Sequence, residues 1–256
     1  MLRFFFLLFV LALFLNSCSQ NERIRNKGNF ELQLKNPASK NYTPPYIFFE
    51  TERISLQTRI SLDNDKRNNI VEYALKFNGK NKLKKNKKFR NDCSGFVRAV
   101  YDKFGINLFD TDNLKSGGKW YSGTRVIYNF IKENGEIFKD KIPRKGDLIF
   151  FDNTNDRNKD GKVNDYFTHV AIVIKVDENQ TVYYIHKSSR GINIQKLNLK
   201  YKNRLYISKN GKKIKVNSFL RRKRKRDPKN TPYLSSQMFR AFGTLFNEER
   251  VISKNR

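Results

Sequence analysis

Residues 92–97 read Asp-Cys-Ser-Gly-Phe-Val, and this stretch predicts the start of a buried helix with a cysteine in its first turn. Phe96, Val100 and Phe104 recur at a spacing of four residues, which is typical of the apolar face of a helix. A helix N-terminus offers free N–H groups and a partial positive charge, which lower the pKa of a thiol placed there. Cys93 is therefore a candidate nucleophile.

Around this helix, the sequence predicts helices first and strands afterwards. A strand is expected within 46–62, an N-cap at 63–65 that opens a helix, and a short helix near 124–133. Apolar runs predict strands at 147–151, 169–174, 181–186, 192–194 and 205–207. Residues 233–246 fit a helix or a strand. Elements in this order, without βαβ alternation, favour an α+β fold with helices packed on a central antiparallel sheet.

The two histidines of the chain, His169 and His186, lie on consecutive predicted strands. With residues 177–180 as the turn, Val173 would pair with Tyr184, and both imidazoles would lie on one face of the sheet as diagonal neighbours. A slip of one residue would place them on opposite faces, so the register is a hypothesis that the chemistry of the pair supports.

A cysteine, a base and a third group that orients the base form the constellation of acyl transfer. Here Cys93 would attack, His169 would take its proton and return one to the leaving amine, and His186 would orient His169. The backbone N–H of Cys93 would help to hold the oxyanion. Each residue alone also has a structural explanation, because a buried cysteine is usually a small apolar side chain.

The residues around these positions resemble a known family, the NlpC-type cysteine peptidases of bacterial cell walls. Residues 92–97 are similar to the D-C-S-G-F-V signature of that family, and 143–151 (PRKGDLIFF) resemble its P-x-x-G-D-L-x-F-F strand. Residues 168–173 (THVAIV) are similar to the strand that bears the catalytic histidine, and 185–186 to the next strand with the third catalytic position. The resemblance covers about residues 66–200.

The resemblance implies a papain-like fold with a triad of Cys93, His169 and His186. It also implies hydrolysis of peptide bonds in peptidoglycan stem peptides, typically after γ-D-glutamyl, with Asp92 and Ser94 binding the stem peptide and no cofactor required. An amidase or another acyl hydrolase on the same scaffold is the alternative enzyme. A non-catalytic basic lipoprotein that binds cell wall or anionic membrane is the alternative of a different class.

The N-terminus has the pattern of an export signal. Arg3 precedes an unbroken apolar run at 4–15, which is long enough for a signal peptide and too short to span a bilayer. The following Leu-Asn-Ser-Cys, ending at Cys18, resembles a lipobox, so residues 1–17 are predicted to be removed and Cys18 to carry a membrane-anchoring lipid. An ordinary secretory signal with an incidental Cys18 is the alternative.

This pattern sets the predicted organisation of an exported, membrane-anchored protein. Residues 18–62 are predicted to form a lipid-anchored tether and N-terminal extension, 63–210 the NlpC-type peptidase domain, and 211–256 a basic C-terminal extension, with its packing on the domain left open. With Cys18 acylated, Cys93 remains as the single thiol, because the chain has only two cysteines.

The chain is strongly basic, with 53 Lys and Arg against 24 Asp and Glu and a net charge of +29. Lysines are concentrated at 80–90, and residues 221–226 are all Arg or Lys. Nucleic acid is not an expected partner, because the chain is predicted to be exported and no nucleic-acid-binding motif is present. The expected partners are peptidoglycan stem peptides and anionic surfaces such as lipid head groups.

A polar stretch before His169 resembles the first part of an EF-hand loop. Asp156, Asn158, Asp160 and Asn164 fall at positions 1, 3, 5 and 9, with a glycine at position 6. Position 12 is Phe167, so the usual bidentate carboxylate is missing. The sequence therefore suggests a structural calcium ion held by these four residues, with a polar surface insertion as the alternative.

Overall fold

The computed structural model describes residues 46–83, 88–111, 122–225 and 227–246, with side chains from residue 61 onward. The predicted signal peptide, Cys18 and residues 19–45 lie outside the described residues. The described helices are α1 (Tyr46–Leu75), α2 (Cys93–Asp102) and α3 (Gly123–Asn134). Among these residues, no helix combines the length and the apolar character needed to cross a bilayer.

Eight strands follow the helices along the described chain. They are β1 (Glu136–Phe138), β2 (Leu148–Phe151), β3 (His169–Val176), β4 (Val182–Ser188), β5 (Gly191–Leu197), β6 (Tyr206–Lys209), β7 (Lys212–Lys215) and β8 (Phe239–Thr244). Six of them form one antiparallel sheet in the order β1-β8-β2-β3-β4-β5, and β6 and β7 form a separate hairpin. The predicted α+β fold with an antiparallel sheet is confirmed.

The position of β8 shows that the C-terminal region contributes a strand to the main sheet. This strand pairs with β1 on one side and with β2 on the other, so it lies inside the sheet. The open choice for residues 233–246 is thereby settled as a strand. The sheet also extends beyond residue 210, where the sequence placed the end of the peptidase domain.

Both faces of the sheet are buried, which explains the continuous apolar runs in its central strands. On one face, Phe96 and Val100 of α2 share a core with Val170 and Ile172 of β3. On the other face, Ala171 and Val173 contribute to a second core. The C-terminal part of the chain completes this second core through Leu220, Met238 and Phe242.

The predicted strand within 46–62 is wrong, and so is the predicted N-cap at 63–65. Helix α1 runs without interruption from Tyr46 to Leu75. No proline or glycine occurs between Pro45 and Gly79, so nothing in the sequence breaks a helix there. A short apolar run fits both the 3.6-residue period of a helix and the two-residue period of a strand. The length of this segment is typical of a helix.

A buried cation joins α1 to the sheet. The Arg67 guanidinium, which is 2 % exposed, donates to Asp147 Oδ1 at 2.7 Å and to Thr244 Oγ1 at 3.0 Å. It also donates to the backbone carbonyls of Lys145 and Phe246 at 3.0 and 2.9 Å. One side chain of α1 therefore connects the segment before β2 with the end of β8.

Candidate active site

Helix α2 begins at Cys93, and its start is fixed by Asp92. The Asp92 side chain caps the helix, since its Oδ1 accepts from the backbone N–H of Gly95 and from the Ser94 hydroxyl, both at 2.8 Å. Position 95 excludes any residue with a side chain, because a Cβ there would lie 1.8 Å from the carbonyl oxygen of Arg90. The Asp-Cys-Ser-Gly stretch thus holds the cysteine at the first position of the helix.

The N-termini of α2 and α3 meet beside this cysteine. A Cβ on Gly123 would lie 2.4 Å from Ser94 Oγ, so glycine permits the two helix ends to pack together. Thr124, the next residue of α3, has its hydroxyl 3.9 Å from Cys93 Sγ. The sequence analysis did not identify Thr124, because no motif marks it and the contact joins two separate helices.

The free thiol of Cys93 also lies against the start of β3. The backbone N–H of Val170, the residue that follows His169, acts on this thiol and lowers its pKa. The charge of Asp92 also acts on His169. The candidate nucleophile and the candidate base, which are far apart in the sequence, therefore lie at the same end of β3.

The two imidazoles are in direct contact, as the sequence analysis predicted. Val173 pairs with Tyr184 and Ile172 with Ile185, which is the predicted register. His169 Nε2 and His186 Nδ1 are 2.7 Å apart, with the ring planes at 81°. Both rings are buried, and His186 is only 1 % exposed. This confirms the predicted register and places the two rings on one face.

The hydrogen bond between the rings restricts their tautomers, because one nitrogen must donate and the other must accept. If His169 Nε2–H donates, Nδ1 of His169 is left as an acceptor and the proton of neutral His186 is on Nε2. The opposite arrangement places a proton on Nδ1 of His169 and removes its basic lone pair. His186 Nε2 is buried and has no hydrogen-bond partner among the described residues. In the first arrangement His186 Nε2 is a buried N–H without an acceptor, and in the second it is a buried acceptor without a donor, so the contacts of this atom favour neither tautomer.

Burial favours the uncharged forms of the Cys93 thiol and of the two imidazoles. It lowers the pKa of His169 to about 4, although Asp92 acts in the opposite direction, and it lowers the pKa of His186 well below its ordinary value. Burial also raises the pKa of the Cys93 thiol, outweighing the opposite effect of the Val170 backbone N–H. The predicted lowering of the thiol pKa is therefore wrong. The sequence indicated the helix N-terminus but not that burial of the thiol would outweigh its effect.

Asp92 and Ser94, the predicted substrate-binding residues, lie next to the cysteine with different exposure. The Asp92 side chain is 42 % exposed, and its Oδ2 lies 3.3 Å from Nε of Arg90. Ser94 is buried, and its hydroxyl donates to Asp92. Asp92 can therefore reach a ligand, and Ser94 orients its carboxylate.

The calcium-like loop is closed by its own hydrogen bonds. Asp160 Oδ2 accepts from the side-chain amides of Asn158 and Asn164 at 3.0 and 2.9 Å, and Asp156 Oδ2 accepts from the backbone N–H of Gly161 at 3.0 Å. No group of three or more His, Cys, Asp or Glu suited to a metal ion occurs in the described part of the chain. Asp156 Oδ1 has no hydrogen-bond partner among the described residues, and the calcium site at this loop stays a prediction.

An α+β fold with a cysteine at a helix N-terminus, beside a strand-borne histidine pair, defines the class of papain-like cysteine peptidases and hydrolases. The model of the NlpC/P60 family matches residues 74–210, which is more than half of the chain, and the protein belongs to this family. Membership supports a peptidase or hydrolase function in the cell wall. A search of curated proteins finds no match to the chain.

Proposed function

We propose that the protein is a cysteine endopeptidase that hydrolyses peptide bonds in peptidoglycan stem peptides, with Cys93, His169 and His186 as its catalytic triad. The observation that carries this proposal is the 2.7 Å contact between the two buried imidazoles, at the end of β3 where the backbone N–H of Val170 acts on the Cys93 thiol. A purely structural histidine pair would have no need of a thiol at the same strand end.

In this mechanism the resting site is neutral, and the proton moves during the attack. As Cys93 Sγ attacks the scissile carbonyl carbon, His169 Nδ1 takes the thiol proton, and His186 keeps the His169 ring in the orientation this requires. The backbone N–H of Cys93, which has no partner within the helix, donates to the oxyanion. The imidazolium then protonates the leaving amine, and water hydrolyses the thioester with His169 as the base.

The burial of the site favours this coupled order of events. A thiolate and an imidazolium would both be poorly solvated before substrate arrives, which is why the pKa of the thiol is raised and that of His169 is lowered. A partly exposed Asp92 carboxylate beside the pair stabilises the imidazolium when it forms.

The decisive experiment is digestion of defined muropeptides by the purified protein, with the products identified by mass spectrometry. Wild type is expected to release stem-peptide fragments, whereas Cys93→Ala and His169→Ala release none while their circular dichroism spectra stay unchanged. His186→Asn, which keeps a hydrogen-bonding side chain at the same place, is expected to retain part of the activity. Unchanged turnover by the Cys93→Ala variant would refute the proposal.

An amidase acting on the same polymer is the second candidate, because the geometry determines the acyl chemistry and not the bond that is cut. The masses of the products separate the two, since an amidase would release the whole stem peptide from the glycan. The third reading, a non-catalytic binding protein, predicts that the Cys93→Ala variant and wild type act identically on the polymer.

We further propose that the chain is exported and held at a membrane of the cell envelope through a lipid on Cys18. The pattern of the first eighteen residues supports this proposal. Labelling with a radioactive fatty acid and fractionation test it. Wild type should carry the label and sediment with membranes, and Cys18→Ser should do neither; a labelled Cys18→Ser variant would contradict it.

A further inference from the structure

Five cations are concentrated on the loop between β7 and β8. Their side chains are exposed, and none of them forms an ion pair among the described residues; they are Arg222, Lys223, Arg224, Lys225 and Lys229. We name them the 222–229 cluster. Such a concentration of like charge raises the free energy of the isolated protein and is relieved when an anionic partner binds.

The loop that carries the cluster is built around a buried ion pair. Asp227 Oδ1 accepts from Arg221 Nη2 at 2.9 Å, and both side chains are less than a tenth exposed. Asp227 Oδ2 also accepts from the backbone N–H of Arg224 at 2.8 Å and from the Tyr233 hydroxyl at 3.3 Å. A carboxylate with three donors fixes the backbone of the loop, so the exposed cations project from a defined surface rather than from a free chain.

This surface is concave. Lys223, Arg224, Lys225 and Lys229 line a depression of about 570 Å³, with Tyr233 at its wall. Among the described residues that line it, Asp227 is the only carboxylate, and its two oxygens already accept hydrogen bonds. The depression therefore offers ammonium and guanidinium groups to an anionic ligand.

The loop is attached to the active-site end of the sheet. Arg221 Nη1 donates to the carbonyl oxygen of Asn153 at 3.1 Å, just after β2 ends. The next residue, Thr154, donates from its backbone N–H to Thr168 Oγ1 at 2.9 Å, and Thr168 directly precedes His169. Two short connections thus join the anchor of the loop to the residue before the candidate base.

We propose that the 222–229 cluster is an exosite that binds carboxylate-bearing stem peptides of the same peptidoglycan polymer, beyond the peptide cleaved at Cys93. This inference rests on the proposed function, because it assigns the surface to a neighbouring part of the same substrate. A polymer that repeats carboxylates along its length can contact Cys93 and the cluster at once, which increases the local concentration of scissile bonds. A short stem peptide can bind either at Cys93 or at the 222–229 cluster, but not at both at once.

The test compares two double variants that remove the same charge. Lys223→Gln/Lys225→Gln removes two cations from the cluster. Lys103→Gln/Lys132→Gln is the control, because these exposed lysines lie at the C-terminal ends of α2 and α3, whereas the N-termini of both helices meet at Ser94. The rate of hydrolysis is measured on intact sacculi and on a short soluble stem peptide, at low and at high salt.

We expect the cluster variant to lose activity on sacculi by on the order of tenfold at low salt, with the difference vanishing at high salt. Its activity on the short peptide should equal that of wild type, and the control variant should match wild type on both substrates. Equal losses in the two double variants would show that net charge alone matters and would overturn the proposal. A loss on the short peptide as well would overturn it too, because the cluster would then belong to the catalytic site.

Co-sedimentation with sacculi, with both double variants made in the Cys93→Ala protein, tests binding without turnover. Reduced sedimentation of the cluster variant alone supports the exosite even if wild type proves to cleave no stem peptide. Failure of the exosite proposal can therefore be distinguished from failure of the proposed peptidase function. If the cluster variant instead loses binding to vesicles of anionic lipid and sediments normally with sacculi, the partner is a membrane and the proposal is wrong.

Discussion

The pKa of His169 can be measured directly, because the chain has only two histidines. A proton NMR spectrum of the folded protein therefore contains two imidazole C2–H resonances, and His169→Gln assigns them. With the His169 pKa lowered by burial to about 4, its resonance should not move between pH 8 and pH 5 and should shift only below that range. A midpoint near the ordinary value of 6.5 would show that water reaches the ring and would refute the uncharged resting site.

The same pKa difference should appear in the stability of the protein. In the unfolded chain His169 binds its proton near pH 6.5, whereas the folded protein resists protonation until about pH 4. The neutral ring therefore stabilises the fold fully above pH 6.5, and this contribution declines as the pH falls towards 4. Its size is about 3 kcal/mol, because each pKa unit corresponds to about 1.4 kcal/mol.

Urea denaturation of wild type and His169→Gln at pH 7.5 and pH 4.5 measures this contribution together with the effect of His169 on the pKa of His186. The free energy of unfolding of wild type should fall more between these pH values than that of the variant, by 2 to 3 kcal/mol. Equal falls in the two proteins would contradict the reasoning, because His169 would then titrate alike in the folded and unfolded states.

Three further outcomes are expected. Arg67→Ala leaves the Asp147 carboxylate buried without its partner and should lower the free energy of unfolding by about 3–5 kcal/mol in urea denaturation; a loss below 1 kcal/mol would contradict the buried pair. Gly95→Ala places a Cβ against the carbonyl of Arg90 and should reduce both the melting temperature and any hydrolysis, and a variant that melts like wild type would mean that the helix can start elsewhere. Because burial raises the pKa of Cys93, iodoacetamide should react with it more slowly at neutral pH than with a cysteine in a short peptide, and faster reaction would indicate a thiolate. 

Much of the site could be predicted from the sequence because it depends on local rules. Asp92 precedes a helix whose first N–H groups need an acceptor, and an aspartate is well suited to provide one. The separation of the two histidines on either side of a short turn fixes their register once Val173 pairs with Tyr184, and the structure has that pair. Spacing along the chain was sufficient for both inferences.

Other features depend on contacts that spacing does not reveal. The pKa of Cys93 is determined by the residues that bury it, and these come from three parts of the chain. Helix α1 was assigned incorrectly over 46–62 because apolar alternation in a short window fits both periods. No sequence pattern marks Arg67, and only its four acceptors in the structure show its structural role.

The place of β8 in the sheet has a consequence for the order in which the protein can assemble. β2 can pair with β8 (Phe239–Thr244) only after β8 has been synthesised, and β8 follows the three candidate catalytic residues in the sequence. A nascent chain that stops short of this strand leaves an open edge in the middle of the sheet, next to the strand on which β3 and its histidine depend. Synthesis of Cys93, His169 and His186 and completion of the sheet that supports them are thus separated in time.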